Sequence, residues 1–170
     1  MNEAAKKALF DGAFIPAHPL ALNEDKSLDE VSQRALTKYY IAAGVGGLAV
    51  GVHTTQFEIR DPQFNLYERV LSLAIDEMNK ANVPESFLKI GGVCGPVEQA
   101  VNEAIILKRL GYDLALLSMG GLQNQSEAQL LERTREVAKI IPVVGFYLQP
   151  SVGGRVFTYN FWRELANIEN

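Results

Sequence analysis

A histidine and two threonines arrive together just after a small apolar run, in "GGLAVGVHTTQFE". They are His53, Thr54 and Thr55, and the pattern recurs. His18 follows "AFIPA", Cys94 follows "KIGGV", Ser118 follows "DLALL", and Tyr147 follows "PVVGF". Imidazole, hydroxyl, thiol and phenol groups can all donate, accept or move protons, so their recurrence after apolar runs reads as the wall of a small-molecule pocket. Other readings stand beside this one. A Thr-Thr pair can cap loop amides, and either histidine can be a hydrogen-bonded loop residue in place of a base. His18 and His53 without a matched carboxylate are weak grounds for a metal, and no metal is expected. Cys94 among glycines reads as a small apolar filler rather than a nucleophile. Tyr147 is either a core aromatic with a partnered hydroxyl or a pocket phenol. "GGVCGPVEQ" lacks the G-x-G-x-x-G phosphate pattern.

The elements that must position these groups alternate regularly. "AFIPAHPLAL" reads as a strand and "SLDEVSQRALTKYYIAAG" as a helix, with Ser27 as cap, Glu30 at capping-box spacing, and Leu28, Val31, Ala35, Leu36 and Tyr39 on one face. "GGLAVGV" and "LYERVLSLAIDEMNKA" follow, then "FLKIGGV" and "VEQAVNEAIILKRLG", the latter ended by Gly111. "DLALLSM" with "SEAQLLERTREVAKII" and "PVVGFYLQP" with "TYNFWRELANI" complete five β-α units, and a short helix of about residues 3–9 leads them. Continuous apolar runs, instead of alternating ones, mark parallel strands buried on both faces. Five such units fit part of an eight-stranded barrel or an open doubly wound sheet, and both place ligands at the carboxyl ends of the strands. The chemistry-bearing residues fall at those ends; the opposite ends carry capping residues such as Asp113 and Pro142.

Composition narrows the classes further. The 170 residues, 48% of them hydrophobic, are enough for one α/β domain, with no linker or repeat to divide it. A net charge of -4 with no basic stripe argues against nucleic acid as a partner. Apolar runs too short to cross a bilayer argue against a membrane. A single cysteine and an N-terminus without a long apolar segment set a cytoplasmic location as the expectation.

The order of these pieces resembles the dihydrodipicolinate synthase / N-acetylneuraminate lyase family of class I aldolases, which are (βα)8 TIM-type barrels. "GVHTTQFE" stands where the family has G-T-T-G-E, Glu68-Arg69 matches a helical E-R pair, and Tyr147-Leu148-Gln149-Pro150 matches a Y-N-x-P motif. "IGGVCGPVEQAVNEAIILKRLGYDLALL" and the closing "FWRELANIEN" fit the same order from about Phe14 to the last residue. The resemblance implies that the backbone amides of Thr54 and Thr55 hold the carboxylate of a 2-oxo acid such as pyruvate. It implies that the Thr55 hydroxyl and Tyr147 phenol relay protons as the catalytic pair; His18 and His53 are expected in the pocket from their place at the strand ends alone. It implies no cofactor, and a homo-oligomer is expected.

The departures bear on substrate. Gln56-Phe57 replaces G-E, "SMGGLQN" replaces the aromatic P-P-Y motif, Leu148 replaces an Asn, and a substrate-binding Arg position falls on Val152, with Arg155 three residues late. The family's Schiff-base lysine ends a sixth strand, about five residues beyond Asn170, and Lys6, Lys7, Lys26, Lys38, Lys80, Lys89, Lys108 and Lys139 are not placed to replace it. The expectation is a barrel truncated to about five β-α units, inactive alone, with edges that call for a partner or self-association. A non-catalytic carboxylate-binding barrel is the alternative function, and the doubly wound sheet the alternative fold.

Overall fold

Strands as short and uninterrupted as these hold together only when both faces are covered. In the computed structural model, which describes residues 1–170 (Val152 without its side chain), the two faces carry different layers. The strands are β1 (Gly47–Val50), β2 (Leu88–Val93), β3 (Leu114–Leu117) and β4 (Val143–Gly145). The helices are α1 (Glu3–Asp11), α2 (Glu30–Ala42), α3 (Tyr67–Lys80), α4 (Val97–Leu110), α5 (Glu127–Ala138) and α6 (Tyr159–Ala166). All strand pairs are parallel and the order is β1-β2-β3-β4, with Gly47 opposite Leu88, Ile90 opposite Leu114 and Ala115 opposite Val143. Sequential order without a switch point is the barrel arrangement and removes the doubly wound alternative. On one face Leu48, Val50, Val93, Ala115 and Leu117 pack with α3 to α6; on the other, Ala49, Leu88, Ile90 and Leu114 meet Ala5 and Leu9 of α1. Among the described residues, no helix is long and apolar enough to cross a membrane.

The segment expected as a first strand is not one. It lies beside β1 but pairs through a single parallel bridge, Ala17 to Ala49. Gly46 N donates to Phe14 O at 3.0 Å and Ala49 N to Pro16 O at 3.1 Å, so β1 advances one residue more than its neighbour and the ladder slips. Pro16 and Pro19 also lack the N–H a ladder needs. The structure therefore holds four strands flanked by a strand-like edge.

The first long helix departs from expectation in cap and in face. Asp29, not Ser27, caps α2, accepting from Ser32 N at 2.9 Å, while Ser27 closes a turn with Asp25. Gln33 and Thr37 are its buried residues, whereas Val31 and Tyr39 lie exposed. The buried polar pair binds the proline-rich edge: Gln33 Oε1 accepts from Ala21 N at 2.8 Å and its Nε2 donates to Pro19 O at 3.0 Å. Hydrogen bonding to a segment that cannot form a ladder orients this helix.

Helices α2 and α3 are joined through Glu77, buried on α3. Its carboxylate accepts from Arg34 Nη1 at 2.6 Å and Lys80 Nζ at 3.0 Å, with Lys38 Nζ at 3.5 Å. The Lys80 bond, with Arg34 and Lys38 and against the effect of burial, holds the carboxyl at about 2 rather than 4.5. A depressed carboxyl stabilises the fold above its unfolded value and loses that contribution as pH falls toward the folded one. Acid unfolding of the wild type is expected to steepen between about pH 4.5 and pH 2, and Glu77→Gln should flatten the curve there, read by circular dichroism.

The ends of β1 and β2 approach closely at Gly92. A Cβ there would lie 2.3 Å from Gly51 O and 2.6 Å from Gly51 C, both backbone. Gly92→Ala is expected to cost about 1–3 kcal/mol in urea unfolding by forcing the strand ends apart. An unchanged midpoint would show that the ends separate freely.

Candidate functional site

After β1 the chain turns at Gly51 (φ 75°) and runs through two short 3-10 turns, His53–Thr55 and Phe57–Arg60. Thr55 is fully buried; its hydroxyl donates to His18 O at 2.7 Å and accepts from Gly51 N at 3.0 Å. Thr54 Oγ1 donates to the same His18 carbonyl at 3.2 Å, and Thr55 N donates to Val52 O at 2.9 Å. The two threonines thus staple the exit of β1 to the proline-rich edge. His18 is the other half of that staple. It is fully buried, with Nε2 2.9 Å from Thr37 Oγ1 and Nδ1 2.8 Å from Pro19 O. Burial pushes the ring below its ordinary value, against the Pro19 bond that raises it, which favours the neutral imidazole.

At the carboxyl ends of the strands lies a cavity of about 440 Å³. Its walls are Gly51, Val52, His53, Phe57 and Arg60 from the β1 exit, Gly92 and Val93 of β2, Leu116 and Ser118 at β3, and Phe146 to Gln149 after β4. The structure therefore brings His53, Ser118 and Tyr147 together and leaves His18, Thr54, Thr55 and Cys94 behind the wall. His53 is exposed to the cavity mouth, and Tyr147 is 52% exposed, its ring edge-on to Trp162 at 6.2 Å. Burial pushes the Cys94 thiol up to about 11, so it is not a thiolate at neutral pH. No lysine, aspartate or glutamate lines the cavity among the described residues, and Arg60 is its one permanent charge. No group of three or more His, Cys, Asp or Glu able to hold a metal gathers among those residues.

Sequence reasoning passed over Arg60 and its partner Glu103. Arg60 Nε donates to Glu103 Oε1 at 2.8 Å, and its Nη2 donates to Gly51 O at 2.9 Å and Gly92 O at 3.0 Å. One guanidinium therefore clips the ends of β1 and β2, the two carbonyls that Gly92 lets approach. Its Cζ lies 4.4 Å from the Tyr67 ring centroid. Burial disfavours the charged form, but Glu103 beside it raises the affinity for the proton, so Arg60 stays cationic. Glu103 also accepts from Cys94 N at 3.0 Å and Gln99 Nε2 at 2.7 Å. A signal was present: Glu103 occupies the buried stripe of α4 with Ala100, Ala104 and Leu107, where an acid demands a buried partner.

The late arginine, Arg155, is not in the cavity wall. Its Nη1 donates to Gln125 O at 2.7 Å, tying two loops together. The family position for such an arginine falls on Val152, whose side chain lies outside the described residues.

No family model matches this chain, and no curated protein matches it either. Solved structures do match. Dihydrodipicolinate synthase from Acinetobacter baumannii, complexed with pyruvate, aligns with TM-score 0.79 and 19% identity, covering 93% of this chain and 53% of its own. N-acetylneuraminate lyase from Fusobacterium nucleatum aligns with TM-score 0.75 and 22% identity, covering 91% and 52%. An E. coli prophage protein of the dihydrodipicolinic acid synthase family, also solved with pyruvate, aligns with TM-score 0.77 and 22% identity, covering 91% and 50%. The chain has the TIM-barrel type of α/β fold of these structures and spans about half the length of each.

Proposed function

We propose that this segment is the 2-oxo-acid-binding part of a lyase or aldolase of the dihydrodipicolinate synthase / N-acetylneuraminate lyase family. The observation that carries the reading is Tyr147 in the wall of a cavity at the carboxyl ends of sequential parallel strands. Relatives in fold were solved with pyruvate. In this reading an amine attacks the oxo carbon, water leaves, and Tyr147 hands the proton to and from the oxygen, since a phenol both donates and accepts. Thr55 is the second hydroxyl of the relay. The amides of Thr54 and Thr55 take the carboxylate once the 53–55 turn opens, because Thr55 N and Oγ1 are otherwise committed to Val52 O and His18 O. A cytoplasmic homo-oligomer without cofactor completes the reading.

The cavity wall holds no lysine, so the 170 residues by themselves are read as binding without forming an imine. That same observation favours the second reading, a non-catalytic carboxylate-binding barrel. Borohydride reduction in the presence of pyruvate, followed by intact-mass measurement, separates the two when run on this chain and on any longer protein containing it. A reduced adduct on a lysine of the longer protein supports the aldolase. No adduct with any of several 2-oxo acids selects the binding protein.

A further inference from the structure

Pyruvate is small for a cavity of about 440 Å³, so a ligand that fills it carries a further side chain. The walls indicate the chemistry of that side chain. Most of them are apolar: Val52, Phe57, Val93, Leu116, Phe146 and Leu148. Among the described residues no lysine, aspartate or glutamate joins them.

The one permanent charge in the wall is turned away from a ligand. Arg60 commits Nε to Glu103 and Nη2 to the Gly51 and Gly92 carbonyls, and its Nη1 is shut off from water. A second carboxylate on the ligand would therefore leave water without meeting a counter-charge, which is costly. His53 does not replace that counter-charge, because it stands exposed at the mouth, in solvent. A hydroxyl-rich chain would lose more hydrogen bonds to water than aliphatic and aromatic walls return. An apolar chain meets neither cost and gains by leaving water.

Two of these residues bound the cavity from its sides. Phe57 follows β1 and Leu148 follows β4, the outermost strands of the sheet. Phe57 opens the 3-10 turn Phe57–Arg60, whose last residue clips both strand ends. Leu148 is fixed from behind by the loop after β4. A Cβ on Gly154 would lie 1.7 Å from Leu148 O, so only glycine lets that loop close there, with Gly154 N donating to Gln149 O at 3.1 Å. In the family pattern set out above, Phe57 stands in place of an acid and Leu148 in place of an amide.

We propose that the cavity selects a 2-oxo monocarboxylic acid with an apolar, branched or aromatic side chain, and that Phe57 and Leu148 are its specificity-determining walls. The assignment rests on the 2-oxo acid reading and adds to it the class of the side chain.

The test is ligand-observed NMR on the 170-residue chain with pyruvate, 4-methyl-2-oxopentanoate, 2-oxoglutarate and 4-methylpentanoate. The two larger oxo acids have side chains of similar size, one apolar and one anionic. The branched oxo acid is expected to bind about tenfold or more tightly than pyruvate, and 2-oxoglutarate no more tightly than pyruvate. Phe57→Ala and Leu148→Asn are each expected to narrow the gap between the branched oxo acid and pyruvate to about threefold or less. Phe57 is exposed and Leu148 half-buried, and if one variant does not fold, the other and the wild-type ranking decide. Binding of 2-oxoglutarate as tight as that of the branched oxo acid, or a gap unchanged in the folded variants, overturns the assignment and leaves the 2-oxo acid reading standing. Equal binding of 4-methylpentanoate and its oxo counterpart, both dependent on Phe57 and Leu148, supports the apolar walls while refuting the 2-oxo acid reading. Binding of none of the acids overturns both.

Discussion

Glu103→Ala is expected to lose about 3–5 kcal/mol of folding stability, the cost of leaving a buried guanidinium without its counter-charge. The carboxylate faces Arg60 at 2.8 Å, with side chains 6% and 9% exposed, and it also satisfies Cys94 N and Gln99 Nε2. Neither charge can retreat to water when the other is removed. An exposed pair of similar geometry is the comparison: Arg69 and Glu30 stand 2.5 Å apart, but their side chains are 48% and 42% exposed. Glu30→Ala should therefore leave the unfolding midpoint nearly unchanged. Urea unfolding measures both. The double variant Arg60→Met/Glu103→Leu should recover much of the loss, because it removes both charges together. A Glu103→Ala midpoint close to wild type would show that the cluster is hydrated and that Arg60 is not held as described.

Tyr147→Phe is expected to lower turnover by about 10²–10⁴-fold, the range for removing a positioned proton donor. The measurement belongs on the form of the protein that gives a borohydride adduct. The ring packs edge-on against Trp162 at 6.2 Å and is 52% exposed, so losing the hydroxyl should not disturb the wall. Ligand affinity should therefore stay within a few-fold while kcat falls, which separates proton transfer from packing. Equal loss in affinity and rate would assign Tyr147 to binding instead.

The alternation of elements was legible because strands covered on both faces read as uninterrupted apolar runs. The first of those runs was misread as a strand. Pro16 and Pro19 interrupt it, and proline removes donors without lowering hydrophobicity. The face of α2 was misread for a related reason. Periodicity ranks Val31 and Tyr39 above Gln33 and Thr37, yet the polar pair is buried because the proline-rich edge needs hydrogen bonds. The sequence reading placed Tyr147 and His53 at the carboxyl ends of the strands, and both line the cavity there. It could not show that Thr54 and Thr55 turn toward the His18 carbonyl, since that depends on a contact between residues 36 and 37 positions apart. Arg60 was passed over because an arginine in a polar loop ordinarily reads as solvated. Only its pairing with Glu103, 43 residues away, takes it inside.

The central claim is that a 2-oxo acid occupies the cavity at the carboxyl ends of β1 to β4. Titrating pyruvate into the isotopically labelled 170-residue chain and following backbone amides tests it most directly. Without an imine, affinity of about the millimolar range is expected, with shifts concentrated at Gly51, His53, Gly92, Ser118 and Tyr147. Saturating shifts confined to another surface, or none at these residues, would contradict it.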